Sequence, residues 1–192
     1  MTKTNSNELS FWEHVDELRG CIIRILVAVV AFGIVAFCFK DAVFSIVLAP
    51  KESDFVTYRL FKSLGASLSD FSIHLINTEL AQQFLIHIKI SFYVGALVVS
   101  PYILFALFSF VSPALYASEK RVALKAVGGG YIMFILGVLL SYFLIFPLTF
   151  RFLGTYQVSD EIVNYISLTS YIGTLLTLCL LMGIMFELPI LC

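Results

Sequence analysis

Charge is absent from four long apolar stretches, 25–39, 90–118, 126–150 and 162–186, and these organise the whole chain. A helix needs about 20 apolar residues to cross roughly 30 Å of hydrocarbon, so each stretch predicts a membrane-spanning helix. With their flanks the spans are placed at 22–39, 88–111, 126–150 and 168–192. The first charge-free run covers only about 22 Å at ~1.5 Å per residue, so Arg24 is expected to snorkel its guanidinium back to the interface. Between the spans lie a long loop, 40–87, and two short ones, 112–125 and 151–167. Phe55, Tyr58, Phe61, Phe71 and Ile73 make the long loop too apolar for a disordered linker. Short helices capping one face of the bundle are expected there, with Asn77 or Thr78 capping a helix that runs through Glu79 into the second span. Pro101, Pro147 and Pro189 fall in the later spans and strand the carbonyls of Leu97, Phe143 and Met185, which predicts kinks or ends. The fold class is therefore all-α and polytopic, with four transmembrane helices. The last apolar run reaches Cys192 without a polar flank, so the chain is expected to be a truncated piece of a longer protein.

The N-terminal flank departs from the usual pattern. Ser10 and Glu13 form an S-x-x-E capping box, predicting a helix that starts at Ser10 and runs unbroken into the first span. Over 10–21, Phe11, Val15, Leu18 and Ile22 recur at helical spacing as one apolar stripe, while Glu13, Asp16 and Glu17 fall off it with Arg19 beside them. Cytosolic juxtamembrane segments are usually rich in Lys and Arg. Two readings of the acids are open: a solvated face with an Asp16–Arg19 pair worth about 0.2–0.5 kcal/mol, or a receptor for a cationic partner.

Composition supports the membrane assignment, with 60% apolar and 13% charged residues against about 45–50% and 25% in soluble proteins. A net charge of −1 and the lack of a basic stripe give no reason to expect a nucleic-acid partner. Cys21, Cys38, Cys179 and Cys192 lie in or beside apolar helices without C-x-x-C spacing and read as small hydrophobes rather than a disulfide or metal framework. Lys3, Arg19 and Arg24 precede the first span, and Lys120, Arg121 and Lys125 crowd the loop after the second, whereas 151–167 carries only Arg151. This bias predicts a cytosolic N-terminus, external first and third loops, and a cytosolic face shared by Glu17 and Glu119.

Candidate chemistry is sparse. H-E-x-x-H, G-x-S-x-G and phosphate-loop motifs are missing, and His14, His74 and His87 lie far apart, so no catalytic site, metal or cofactor is predicted. Gly128-Gly129-Gly130 lacks the strand–loop–helix context of a phosphate site and reads as close helix packing or a flexible entry to the span. Glu187 is the outstanding residue: a carboxylate within a span costs roughly 2.5–3.5 kcal/mol on insertion scales. It either faces a cavity or partner inside the membrane or marks the water-exposed end of the fourth span. Its intramembrane position also permits a second functional class, a proton-coupled secondary transporter, although no internal repeat of the kind such proteins carry is visible.

Five segments together carry a resemblance. His14-Val15-Asp16-Glu17-Leu18-Arg19 looks like an H-x-x-E-L-R leader, Ala49-Pro50 like a short A-P signature, and Pro113-Ala114-Leu115-Tyr116 followed by Glu119-Lys120-Arg121 like P-A-L-Y-x-x-E-[KR]-R. Phe146-Pro147-Leu148 and Phe186-Glu187-Leu188-Pro189 complete the order. In sequence they resemble TatC, the receptor-subunit family of the twin-arginine protein translocase. The resemblance implies a concave bundle of kinked helices in the cytoplasmic (inner) membrane, six spans in a complete member, and homo-oligomers within membrane lipid. It implies a non-enzymatic function: binding Arg-Arg signal peptides of folded proteins and supporting proton-motive-force-driven export with TatA/TatB-type single-span subunits. It assigns Glu17, Glu119, Arg19 and Phe110 to the signal-peptide site, Glu187 to an intramembrane polar contact with partners, and Pro50, Glu79, Pro147 and Pro189 to structural or loop-cap positions. Two departures stand out: a longer loop around 64–76, and Gln82-Gln83 where a small residue and proline often occur.

Overall fold

The structure, a computed structural model, describes residues 5–52, 54–63, 75–111, 120–156 and 165–191. Helix α1 (Asn5–Cys38) leads into α2 (Lys40–Leu48), a 3-10 turn (Ala49–Lys51) and α3 (Val56–Ser63). A two-residue strand β1 (Leu75–Ile76) precedes α4 (Gln82–Val111). Helix α5 (Lys120–Leu140) passes through a π-helical turn (Ser141–Ile145) into α6 (Phe146–Thr155), and β2 (Ile166–Ser167) precedes α7 (Leu168–Leu191). Four apolar segments are long enough to cross a membrane: Val15–Cys38, Gln82–Phe110, Val127–Thr155 and Leu168–Pro189. Most of each stays exposed on the outside of the bundle, as lipid contact requires and water would penalise.

The helices associate in pairs, α1 on α4 and α5 on α7. Lipid gives apolar side chains no reason to prefer each other, so close backbone approach through small residues supplies the attraction. Gly33 and Gly95 meet where α1 crosses α4, and Gly137 meets Gly183 where α5 crosses α7. The two pairs join in the half of the bundle nearest α2 and α3, where Val47, Ile86, Ile90, Phe146, Phe150, Tyr171 and Ile172 form the core.

Two expected local features are corrected. Helix α1 begins at Asn5, so Ser10 and Glu13 lie inside it rather than at its start. Extending an existing helix by a turn is cheap compared with nucleating one, and a mid-helix serine costs only tenths of a kcal/mol. The second span begins at Gln82, not at a cap on Asn77 or Thr78. Gln82 reaches back instead: its Oε1 accepts from the Thr78 and Glu79 backbone N–H groups at 3.0 and 3.2 Å. Its buried amide Nε2 donates to the Thr169 hydroxyl, tying the start of α4 to the start of α7. Beside this tie, β1 and β2 pair in parallel, Leu75 with Ile166 and Ile76 with Ser167.

Two of the three proline-stranded carbonyls find donors. Ser100 Oγ donates to Leu97 O at 2.7 Å, covering the group stranded by Pro101 within a continuous α4. Thr57 Oγ1, from α3, donates to Phe143 O, stranded by Pro147, at the π-helical turn that absorbs the register change. Helix α7 continues through Pro189 to Leu191.

Tyrosines fasten the cap to the bundle. Tyr142 Oη donates to Ile46 O at 2.6 Å and Tyr171 Oη to Val47 O at 3.1 Å, satisfying carbonyls at the C-terminal end of α2. Tyr58 is fully buried and its hydroxyl lies 2.9 Å from Pro147 O and 3.2 Å from Pro50 O. The Arg151 guanidinium sits 6.0 Å from the centre of its ring. Burial pushes the Tyr58 phenol up from 10.0 to about 12, with Arg151 pulling it the other way. The folded state therefore holds the proton more tightly than the unfolded chain, a stabilisation fully present below pH 10 and lost as pH rises to about 12. Tyr58 alone should lower unfolding midpoints in detergent between pH 9 and 12 by the equivalent of about 2–3 kcal/mol. Tyr58→Phe should remove that share of the alkaline loss; an unchanged pH dependence would assign all of it to other groups.

Candidate functional site

Two cavities hold three of the residues singled out by sequence, Glu17, Phe110 and Glu187. The smaller, about 160 Å³, lies between α1 and the last turns of α4. Glu17, Cys21 and Arg24 line it from α1 at i, i+4 and i+7, one helical face. Tyr102, Phe105, Ala106, Ser109 and Phe110 line it from α4 at the matching spacing. Glu17 is exposed, Phe110 half-buried and Cys21 buried. Arg24 Nε donates to Gly20 O at 3.1 Å, so its side chain turns back toward the Glu17 end of the helix. Among the described lining residues, Glu17 is the one carboxylate and Arg24 the one guanidinium. The mouth therefore combines one carboxylate and one guanidinium with a phenol, a serine and aromatic edges.

The larger cavity, about 360 Å³, opens between α4, α5 and α7. Leu97, Ile103, Leu104, Phe134 and Ile184 make its walls almost wholly apolar, and Glu187 is its one carboxylate among the described residues. Glu187 is half-buried at the far turns of α7. Its Oε1 lies 2.8 Å from where a Cβ on Gly130 would stand, so the missing side chain at Gly130 makes room for the carboxylate. The glycine run thus has at least one packing use.

The other sequence-picked residues sit as follows. Arg19 is exposed on α1 and does not line the small cavity. Glu119, with the rest of 112–119, lies outside the described residues. Pro50 and Pro147 are fully buried under Tyr58, whereas Pro189 is exposed in α7. Glu79 is exposed and bound through its backbone to Gln82. Sequence reading missed Tyr102, Ser109 and Cys21 as lining, although Cys21 lies one helical turn beyond Glu17. It also missed Gln82, whose partner Thr169 is 87 residues away.

The model of the TatC family, Sec-independent protein translocase protein, matches residues 13–192. A relative from Blattabacterium sp. subsp. Periplaneta americana, called Sec-independent protein translocase protein TatC, is 33% identical over 98% of this chain and 74% of its own length. The chain belongs to the TatC family. A second TatC relative, from Desulforapulum autotrophicum, is 32% identical over 94% of this chain, which spans 61% of that protein. A crystal structure described as the twin arginine translocase receptor TatC superposes with a TM-score of 0.73 at 34% identity, covering 93% of this chain and 72% of that one. The paired-helix arrangement with its cap is therefore a TatC fold, and the chain is a multi-pass membrane member of a protein-translocase family rather than of a transporter family.

Proposed function

We propose that this TatC chain is the signal-peptide receptor of a twin-arginine translocase in the cytoplasmic membrane, with its N-terminus and the Glu17 cavity on the cytosolic side. The observation that carries the reading is the small cavity bringing Glu17 of α1 beside Phe110 of α4. Guanidinium forks make bidentate, charge-assisted bonds with carboxylates, which separates Arg from Lys. Glu17 takes one guanidinium of an Arg-Arg signal, Glu119 the other, Phe110 packs on the peptide's apolar side, and Arg19 orients the carboxylates. Glu187, in its apolar cavity, meets a polar group of a TatA/TatB-type partner helix. Homo-oligomers of the chain, together with these partners, support proton-motive-force-driven export of folded proteins.

Photo-cross-linking of an Arg-Arg signal peptide to the full-length protein in membranes tests the site. Labelling should fall about tenfold or more when the signal carries Lys-Lys, and similarly on Glu17→Ala or Glu119→Ala. Equal labelling of both signals, or full labelling of both variants, would sink the assignment.

A further inference from the structure

At the opposite end of the bundle from the Glu17 cavity, an open groove of about 460 Å³ runs between α2 and the first turns of α4 and α7. Its chemistry is divided. Lys40, Asp41, Gln83 and His87 supply polar groups, while Phe44 and Phe84 are part of its apolar wall. Lys40 and Asp41 are exposed, and neither forms an ion pair with the other or with any described side chain. Two opposite charges held side by side and left unpaired match a ligand that carries both signs itself.

The His87 imidazole is fixed by its neighbours. It stacks on Phe37 with ring centres 3.9 Å apart and an 11° tilt, and meets Phe44 edge-on at 5.5 Å. Its Nε2 is buried without a hydrogen-bond partner. That nitrogen is shut off from the groove, so His87 serves it as a rigid aromatic wall rather than as a hydrogen-bonding group. The N-terminus of α2, with no side-chain cap on its orphan N–H groups, adds a positive pole beside Lys40.

Exposed apolar side chains lie close by in sequence: Leu80 just before α4, Phe84, Leu85 and Ile88 in its first turns, and Phe39 between α1 and α2. A water-soluble zwitterion would leave these side chains unused, whereas a diacyl lipid covers them with its chains. We infer that this groove is a binding site for one aminophospholipid with a phosphate–ammonium headgroup, in the leaflet on the cap side. Lys40 engages the phosphate, Asp41 accepts hydrogen bonds from the primary ammonium, and the acyl chains lie along Phe84. Charge complementarity sets the headgroup: phosphatidylglycerol leaves Asp41 facing an anion, and the trimethylammonium of phosphatidylcholine has no N–H to donate.

The full chain, delipidated in detergent, is titrated with phosphatidylethanolamine, phosphatidylglycerol or phosphatidylcholine of identical acyl chains, and separately with soluble phosphoethanolamine. Bound lipid is read by native mass spectrometry. Wild type should retain one phosphatidylethanolamine per chain, about tenfold in preference to the other lipids, with no binding of the soluble headgroup at equal concentration. Asp41→Asn should erase the preference, and Lys40→Gln should lower retention of all three lipids. No preference in the wild type, or unchanged retention in both variants, overturns the proposal. Equal binding of soluble phosphoethanolamine overturns it in favour of a headgroup-only site. Loss of a dimer on Lys40→Gln with lipid unchanged overturns it in favour of a second copy of the chain.

Discussion

A single added methyl at Gly95 is expected to drive α1 and α4 apart. A Cβ there would stand 2.7 Å from Gly33 N and from Val29 O, and 2.9 Å from Gly33 Cα. All three are backbone atoms, so no rotamer change relieves the clash and the helices themselves must separate. Gly95→Ala should therefore cost about 3 kcal/mol, the upper part of the usual overpacking range. Gly137→Ala should behave alike on the second pair, since its Cβ would meet Met182 O at 2.5 Å and Gly183 Cα at 3.1 Å. Gly183→Ala meets mainly the Phe134 ring and Val138 Cγ2, side chains that can turn aside, and should cost less. Gly128, Gly129 and Gly173 have open space where a Cβ would go; alanine there should be neutral or stabilise by up to about 1 kcal/mol through helix propensity. Unfolding midpoints of this series in one detergent check the order. A Gly95→Ala midpoint equal to that of Gly128→Ala would show that the crossing is not what holds the pair.

The legible part of this fold was the part governed by local rules. Apolar run length placed four helices because lipid demands about 20 residues whatever their neighbours are. Proline chemistry correctly marked Leu97 and Phe143 as carbonyls needing donors, since the missing N–H is fixed by position in the helix. What supplied those donors was not legible. Ser100 lies next to its proline, but Thr57 reaches Phe143 across 86 residues, and Tyr171 reaches Val47 across 124. A tyrosine hydroxyl can satisfy any carbonyl within reach, so its partner is set by tertiary packing rather than by spacing. Gln82 looked like a departure from a pattern and proved to be the clamp joining the starts of α4 and α7. At the candidate site, the carboxylate of Glu17 was visible because charge is rare in this chain. Its neighbour Arg24 was read only as a snorkelling cation, because nothing in linear sequence says that α4 closes a cavity over both.

That juxtaposition makes Glu17 and Arg24 respond in opposite directions. Hydrogen bonds to a charged group are worth about 1.5–3 kcal/mol, and reversal of the charge adds repulsion to their loss. Glu17→Lys should therefore weaken Arg-Arg signal-peptide binding about 100-fold or more and abolish export of a twin-arginine reporter. Arg24 places a second positive charge in the same cavity, where an incoming guanidinium is repelled by it. Arg24→Gln keeps a comparable length and a hydrogen-bonding end but removes the charge, and should tighten binding severalfold, most clearly at low salt where charges beyond a few ångströms are least screened. A purely structural role for the cavity predicts the same sign for both, because either substitution would loosen the α1–α4 contact. Titration of a labelled Arg-Arg signal peptide into full-length protein in nanodiscs, at two salt concentrations, separates these outcomes. Tighter binding by Arg24→Gln beside near-total loss in Glu17→Lys marks an electrostatic receptor site; parallel weakening of both, with lowered unfolding midpoints, would make Glu17 a packing residue and move the search for the signal's partner to another surface of the bundle.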